Sequence, residues 1–203
     1  LKMLNLDHLY HNKNAFIFEL DQVLIPSKDY DLQVYYLFAN FIEYLEAFPN
    51  AKDMIEFITK RYQIKGNENM FEEVRATFGI DVKYQENLKL LFTNAKLPLK
   101  ILLYKESLML LQDLVVNRKR LFILTSGNPK MQLNKITQTE WNGLDQYLKV
   151  YFADEYEEKP SYKALEQLLH DHQIDREEAV LIGTQEIDKQ MASDFGITYT
   201  NYL

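Results

Sequence analysis

Asn14–Ser27, NAFIFELDQVLIPS, decides how the rest of the chain is read. Ala15 to Phe18 form an apolar run that ends abruptly in Glu19, Leu20 and Asp21. A short run with no polar alternation marks a strand covered on both faces, as in a parallel sheet. Such a strand carries Glu19 and Asp21 to the edge of the sheet, where side chains become available for chemistry.

Working outward, the segment after this strand is helical. In YDLQVYYLFANFIEYLEAF, apolar residues at Leu32, Tyr35, Tyr36, Ala39, Ile42 and Leu45 recur close to the helical period. Asn50 is a candidate N-cap for a second helix, with Asp53 in its first turn. NENMFEEVRATFG and YQENLKLLFTNA read as two further helices, the first closed by Gly79. Residues 28–97 are thus expected to be four helices with no strand between them.

From Leu99 the pattern changes. YKESLMLLQDLVVN reads as an amphipathic helix and RLFILT as a buried strand, followed by a helix opened by Asn128 and Pro129. KVYFAD, AVLIG and ITYT read as strands, and PSYKALEQLLHDH and EIDKQMASDFG as the helices between them. This alternation predicts a doubly wound parallel α/β core from residues 1–27 and 98–203, interrupted by the helical insertion at 28–97.

Composition narrows the function classes. The chain has 203 residues and a formal charge of −7, which argues against a broad nucleic-acid surface. No run reaches the roughly 20 apolar residues of a membrane helix, so neither a membrane nor a nucleic acid is expected as a partner. The N-terminal LKMLNLDHLYHNKN lacks the pattern of a secretory signal. There is no cysteine, which excludes disulfides, thiolate nucleophiles and Cys-based zinc sites and fits a cytoplasmic setting. His8 with His11, and His170 with His172, read as surface histidines. Tyr35 and Tyr36 read as core, with a pocket lining as the alternative. No pattern assigns an oligomeric state.

In open α/β sheets, ligands bind beyond the carboxyl ends of the strands. Those ends carry Glu19 and Asp21; Thr125, Ser126, Gly127 and Asn128; Lys159 in DEYEEKP; and GTQEID, ending at Asp188. Acids, a hydroxyl, backbone N–H groups and a lysine on one rim suit a phosphate group with a divalent cation.

Taken in order, these segments resemble the haloacid dehalogenase superfamily, most of whose members are phosphatases. The family's opening Asp-x-Asp-Gly-Thr/Val-Leu is matched by Glu19-Leu20-Asp21-Gln22-Val23-Leu24, its strand-ending Thr/Ser by Thr125, and its Lys by Lys159-Pro160. Its closing Gly-Asp-x-x-x-Asp-x-x-x-Ala is matched by Gly183-Thr184-Gln185-Glu186-Ile187-Asp188-Lys189-Gln190-Met191-Ala192. The resemblance implies a Rossmann-like core with an inserted helical cap and Mg²⁺ held by Glu19, the Asp21 carbonyl and Asp188. It also implies Asp21 as acid/base, and phosphate bound by Thr125, Ser126, Gly127, Asn128 and Lys159.

The departures fall on catalytic positions. The family's nucleophilic Asp is Glu19, whose extra methylene moves the carboxylate by about 1.5 Å, and displacements near 1 Å can cost on the order of 10²-fold in rate. The closing motif's first Asp, a metal ligand, is Thr184, a neutral and weak donor for Mg²⁺. Gln22 replaces a glycine. The expectation is a degenerate site with phosphoryl transfer lost or much reduced, weak or absent Mg²⁺, and a cleft for a small phosphorylated molecule. The alternatives are a working Mg²⁺-dependent phosphohydrolase with Glu19 as nucleophile or base and, more remotely, a dehalogenase.

Overall fold

The computed structural model describes residues 12–156 and 162–201. Its central sheet has five strands: β1 Ala15–Phe18, β2 Arg120–Thr125, β3 Leu148–Phe152, β4 Ala179–Gly183 and β5 Thr198–Asn201. They lie in the order β3-β2-β1-β4-β5, all parallel. β1 is central, with Phe18 level with Ile123 on one side and Ile182 on the other. The chain runs outward through β2 and β3, then returns across β1 to lay down β4, so the strand order reverses beside β1. Such a reversal opens a crevice at the carboxyl edge, and Glu19 and Asp21 emerge there.

Eight α-helices among the described residues accompany the strands: α1 Ser27–Glu46, α2 Ala51–Lys65, α3 Met70–Phe78, α4 Gln85–Asn94, α5 Lys105–Val116, α6 Pro129–Thr137, α7 Tyr162–Asp171 and α8 Glu186–Phe195. The strand read from KVYFAD is shorter than expected. β3 stops at Phe152, because Ala153–Glu155 turn into a 3-10 helix. Two two-residue strands, Ile101–Leu102 and Thr139–Glu140, lie outside the main sheet and were not anticipated. No described helix is long and apolar enough to cross a membrane.

Both faces of β1 are buried, as its unbroken apolar run requires. On one face Ala15 and Ile17 join Phe122, Leu124 and Leu181 beneath Leu165 and Leu168 of α7 and Met191 and Ala192 of α8. Each fully buried Leu or Ile in such a cluster contributes about 1.5–3 kcal/mol relative to exposure.

The chain divides into two compact units. One holds residues up to Pro26, Leu102–Gln132 and those from Thr139 on; the other holds Ser27–Ile101 and Leu133–Gln138. In the second unit α1 to α4 build a core from Tyr30, Val34, Phe38 and Ile42 of α1 with Met54, Ile58, Phe71 and Val74. Tyr35 belongs to that core: its ring meets Phe92 edge-on at 5.5 Å and its hydroxyl donates to Asn67. Burial holds its phenol well above the usual range. Tyr36 is exposed. The loop after α2 is stapled by buried Arg61, whose guanidinium donates to Glu73 at 2.6 and 2.9 Å and to the carbonyls of Gly66 and Glu68. α6 is shared between the units. Within the second, its Asn134 donates to the Ala95 carbonyl at 3.0 Å.

Candidate active site

The site is built from the ends of β1, β2 and β4. Glu19 continues the ladder beyond β1, its N–H donating to the Ile182 carbonyl at 3.0 Å, and is only 8 % exposed. The chain then folds into a tight turn: Leu24 and Ile25 donate to Leu20, and Gln22 donates to Ile25 at 2.9 Å. Leu20, Val23, Leu24 and Ile25 are fully buried and anchor this turn. From α5, the Ser107 hydroxyl donates to Val23 at 2.6 Å, and just before that helix the Tyr104 N–H donates to Leu24 at 2.9 Å.

Gln22 stands at φ +62°, in the left-handed region. Glycine takes this conformation freely, whereas a side chain there costs roughly 1–2 kcal/mol. The turn therefore holds a glycine-like backbone at a glutamine. The Gln22 carboxamide is exposed and accepts from the Tyr104 hydroxyl at 2.9 Å.

The strand ends bring Glu19, Asp21 and Thr125 together at one edge, with β1 flanked by β2 and β4. Thr125 is fully buried, and its hydroxyl has no hydrogen-bond partner among the described residues. Asp188 is 4 % exposed and lies against Gly183, where an added Cβ would stand 2.8 Å from Asp188 Oδ2. The same oxygen accepts from the Gln185 N–H at 3.3 Å and forms one side of a capping box at the start of α8. Lys159 and Pro160 lie outside the described residues, as do His8 and His11.

The segment read as a phosphate cradle is already engaged internally. The Gly127 N–H donates to Asp154 Oδ1 at 3.0 Å. Asn128 Oδ1 caps α6, accepting from Lys130 and Met131 at 3.0 and 3.2 Å. Gln132, in the first turns of α6 and only 2 % exposed, donates from its amide nitrogen to Asp21 Oδ2 at 2.9 Å and to the Ser126 carbonyl. Neither Gln132 nor Asp154 was identified from the sequence. The one available signal was a glutamine on the buried side of a short helix.

Whether these residues suit the divalent cation implied by the fold is a question of donors. Thr184 is neutral and Asp188 Oδ2 accepts from the Gln185 N–H, so the oxygens on offer are the Glu19 and Asp188 carboxylates and the Asp21 carbonyl, one carboxylate fewer than the resemblance implies. Among the described residues no group of three or more His, Asp or Glu is arranged to hold a metal ion. The residues therefore fit the cation poorly.

His172 departs from the surface reading. It is half-buried, its ring 4.8 Å from that of Phe122, and it sits between Lys149 and Tyr151 of β3. His170 is exposed, 3.7 Å from the Asp171 carboxylate.

Comparison with solved structures supports the topology. A hydrolase from Streptococcus pneumoniae shares 16 % identity at TM-score 0.53, over 93 % of this chain and 92 % of that one. A protein from Lactobacillus plantarum assigned as a phosphoglycolate phosphatase gives 16 % and 0.55, over 94 % and 86 %. The L-2-haloacid dehalogenase of Xanthobacter autotrophicus, with chloropropionic acid covalently bound, gives 15 % and 0.53, over 92 % and 76 %. At these identities the likeness is one of fold. Among curated proteins no match was found. The sequence profile of haloacid dehalogenase-like hydrolases matches residues 16–201, nearly all of the chain, and with a parallel sheet whose strand order reverses beside β1, the chain belongs to that family.

Proposed function

We propose that this chain is a haloacid dehalogenase-like protein in which phosphoryl transfer is lost or much reduced, and which keeps a site for a small phosphorylated molecule. The observation that carries the reading is the hydrogen bond from buried Gln132 to Asp21 Oδ2. It commits the carboxylate at the acid/base position to an internal partner, in a site whose nucleophile position holds Glu19 and whose second acidic metal position holds Thr184. Phosphoryl transfer depends on positioning and on charge stabilisation; Glu19 disturbs the first and Thr184 weakens the second. Mg²⁺ binding is accordingly weak or absent. The buried Thr125 hydroxyl, without an internal partner, supports retention of a ligand contact. Lys159 is assigned charge stabilisation of the ligand, and the absence of cysteine supports a cytoplasmic setting.

The test is hydrolysis of an aryl phosphate with Mg²⁺. Turnover is expected near background for the native sequence, and partial turnover for the variant carrying both Glu19→Asp and Thr184→Asp. Robust Mg²⁺-dependent turnover by the native protein, abolished by Glu19→Gln, would overturn the reading and make Glu19 a working catalytic residue.

A further inference from the structure

We propose that Gln132 is a positioning residue that locks the Asp21 carboxylate to the corner after β2, holding it as a hydrogen-bond acceptor. Three observations carry this. The Gln132 amide nitrogen serves two acceptors on different segments, Asp21 Oδ2 at 2.9 Å and the Ser126 carbonyl. These acceptors also fix the amide orientation, since both need an N–H. The backbone is shaped for it: Gly127 is at φ +102°, and an added Cβ would stand 3.3 Å from Gln132 Nε2. Lastly, the other end of the amide, Gln132 Oε1, is buried with no partner among the described residues. A buried amide left half satisfied is unfavourable, and an apolar side chain would fill the space without that cost. What Gln132 alone supplies is the pair of donated bonds.

The lock has a direction. Oδ2 is held toward the corner after β2, and turning the Asp21 carboxylate toward a leaving group would break the bond from Gln132. Gln132 itself transfers no proton; it acts through Asp21. The functional meaning of the lock rests on the reading above, while the bond can be tested separately.

In ¹H–¹⁵N spectra, Asp21→Asn is expected to move the Gln132 side-chain amide resonances further than those of any other glutamine or asparagine, because the carboxylate acceptor is removed while Gln132 stays. Unmoved Gln132 resonances would overturn the proposal. Gln132→Met, which keeps the bulk and removes the donor, is expected to shift the Gly127 amide through the released Ser126 carbonyl. In the Glu19→Asp/Thr184→Asp background, adding Gln132→Met is expected to raise kcat severalfold with little change in KM. A fall in kcat would overturn the lock. If the background variant shows no turnover, the functional reading above loses its rescue, and the Asp21→Asn spectrum decides the bond by itself.

Discussion

Thr184 and Gly183 are neighbours with opposite demands. Thr184 puts a hydroxyl where the family resemblance implies a carboxylate, and Mg²⁺ favours carboxylate charge in an octahedral shell. Thr184→Asp is therefore expected to tighten Mg²⁺ on the order of tenfold, ~1.4 kcal/mol. Isothermal titration of both proteins decides it, and equal affinities would place residue 184 away from the ion. Gly183 is required for space alone. An alanine Cβ would come within 2.8 Å of Asp188 Oδ2 and 3.0 Å of Asp188 Cβ. Gly183→Ala should push Asp188 off its capping position, an overpacking cost of about 1–3 kcal/mol. Urea unfolding reads this directly. A change of a few tenths of a kcal/mol would show that the start of α8 yields easily.

At the scale of elements, the short turn after β3 bears on anion binding. Ala153–Glu155 carries Asp154, whose carboxylate takes the Gly127 N–H beyond β2. Backbone N–H groups at a strand-to-helix corner are good anion donors, so a carboxylate there competes with a phosphate and repels it. Asp154→Asn keeps an acceptor and removes the charge. It is expected to tighten binding of inorganic phosphate severalfold in a calorimetric titration, and an unchanged affinity would put the anion away from Gly127. α6 begins at the same corner with a side-chain cap. Asn128→Ala removes the acceptor for Lys130 and Met131 and should cost about 0.5–2 kcal/mol in chemical denaturation.

For the whole molecule, the edge of the sheet sets a dependence on pH. The Tyr151 hydroxyl donates to Asp171 Oδ2 at 2.9 Å and so accepts from His172 Nε2 at 3.1 Å, which leaves His172 Nδ1 facing Lys149 Nζ at 3.4 Å. A second ring proton would point at the lysine ammonium. Burial first, then Lys149 and Arg120, hold the imidazole below its ordinary value, with Asp171 opposing them. The unfolded chain therefore binds this proton more readily than the folded one. The neutral histidine's contribution is complete above an unfolded pKa of about 6.5 and is lost as pH falls from there through the lower folded value. His172→Gln is expected to flatten the slope of stability against pH in that window. Identical slopes for the two proteins would remove His172 as the source.

The sequence by itself determined the elements and their caps. Ala15–Phe18, Arg120–Thr125 and Ala179–Gly183 are strands as their apolar runs require, and Asn50, Gly79 and Asn128 cap where local chemistry predicts. These features are legible because period, cap and turn chemistry act over a few neighbouring residues. The same locality put Glu19 and Asp21 at a strand end. Tertiary structure alone decided what those groups touch. Gln132 reaches Asp21 across 111 positions of sequence and Asp154 reaches Gly127 across 27. The Asp188 side chain turns onto its own helix start because Gly183 leaves room for it. A side-chain hydrogen bond between distant segments depends on where the strands place their ends and on which neighbour fills the intervening space, and no local pattern of residues carries that information.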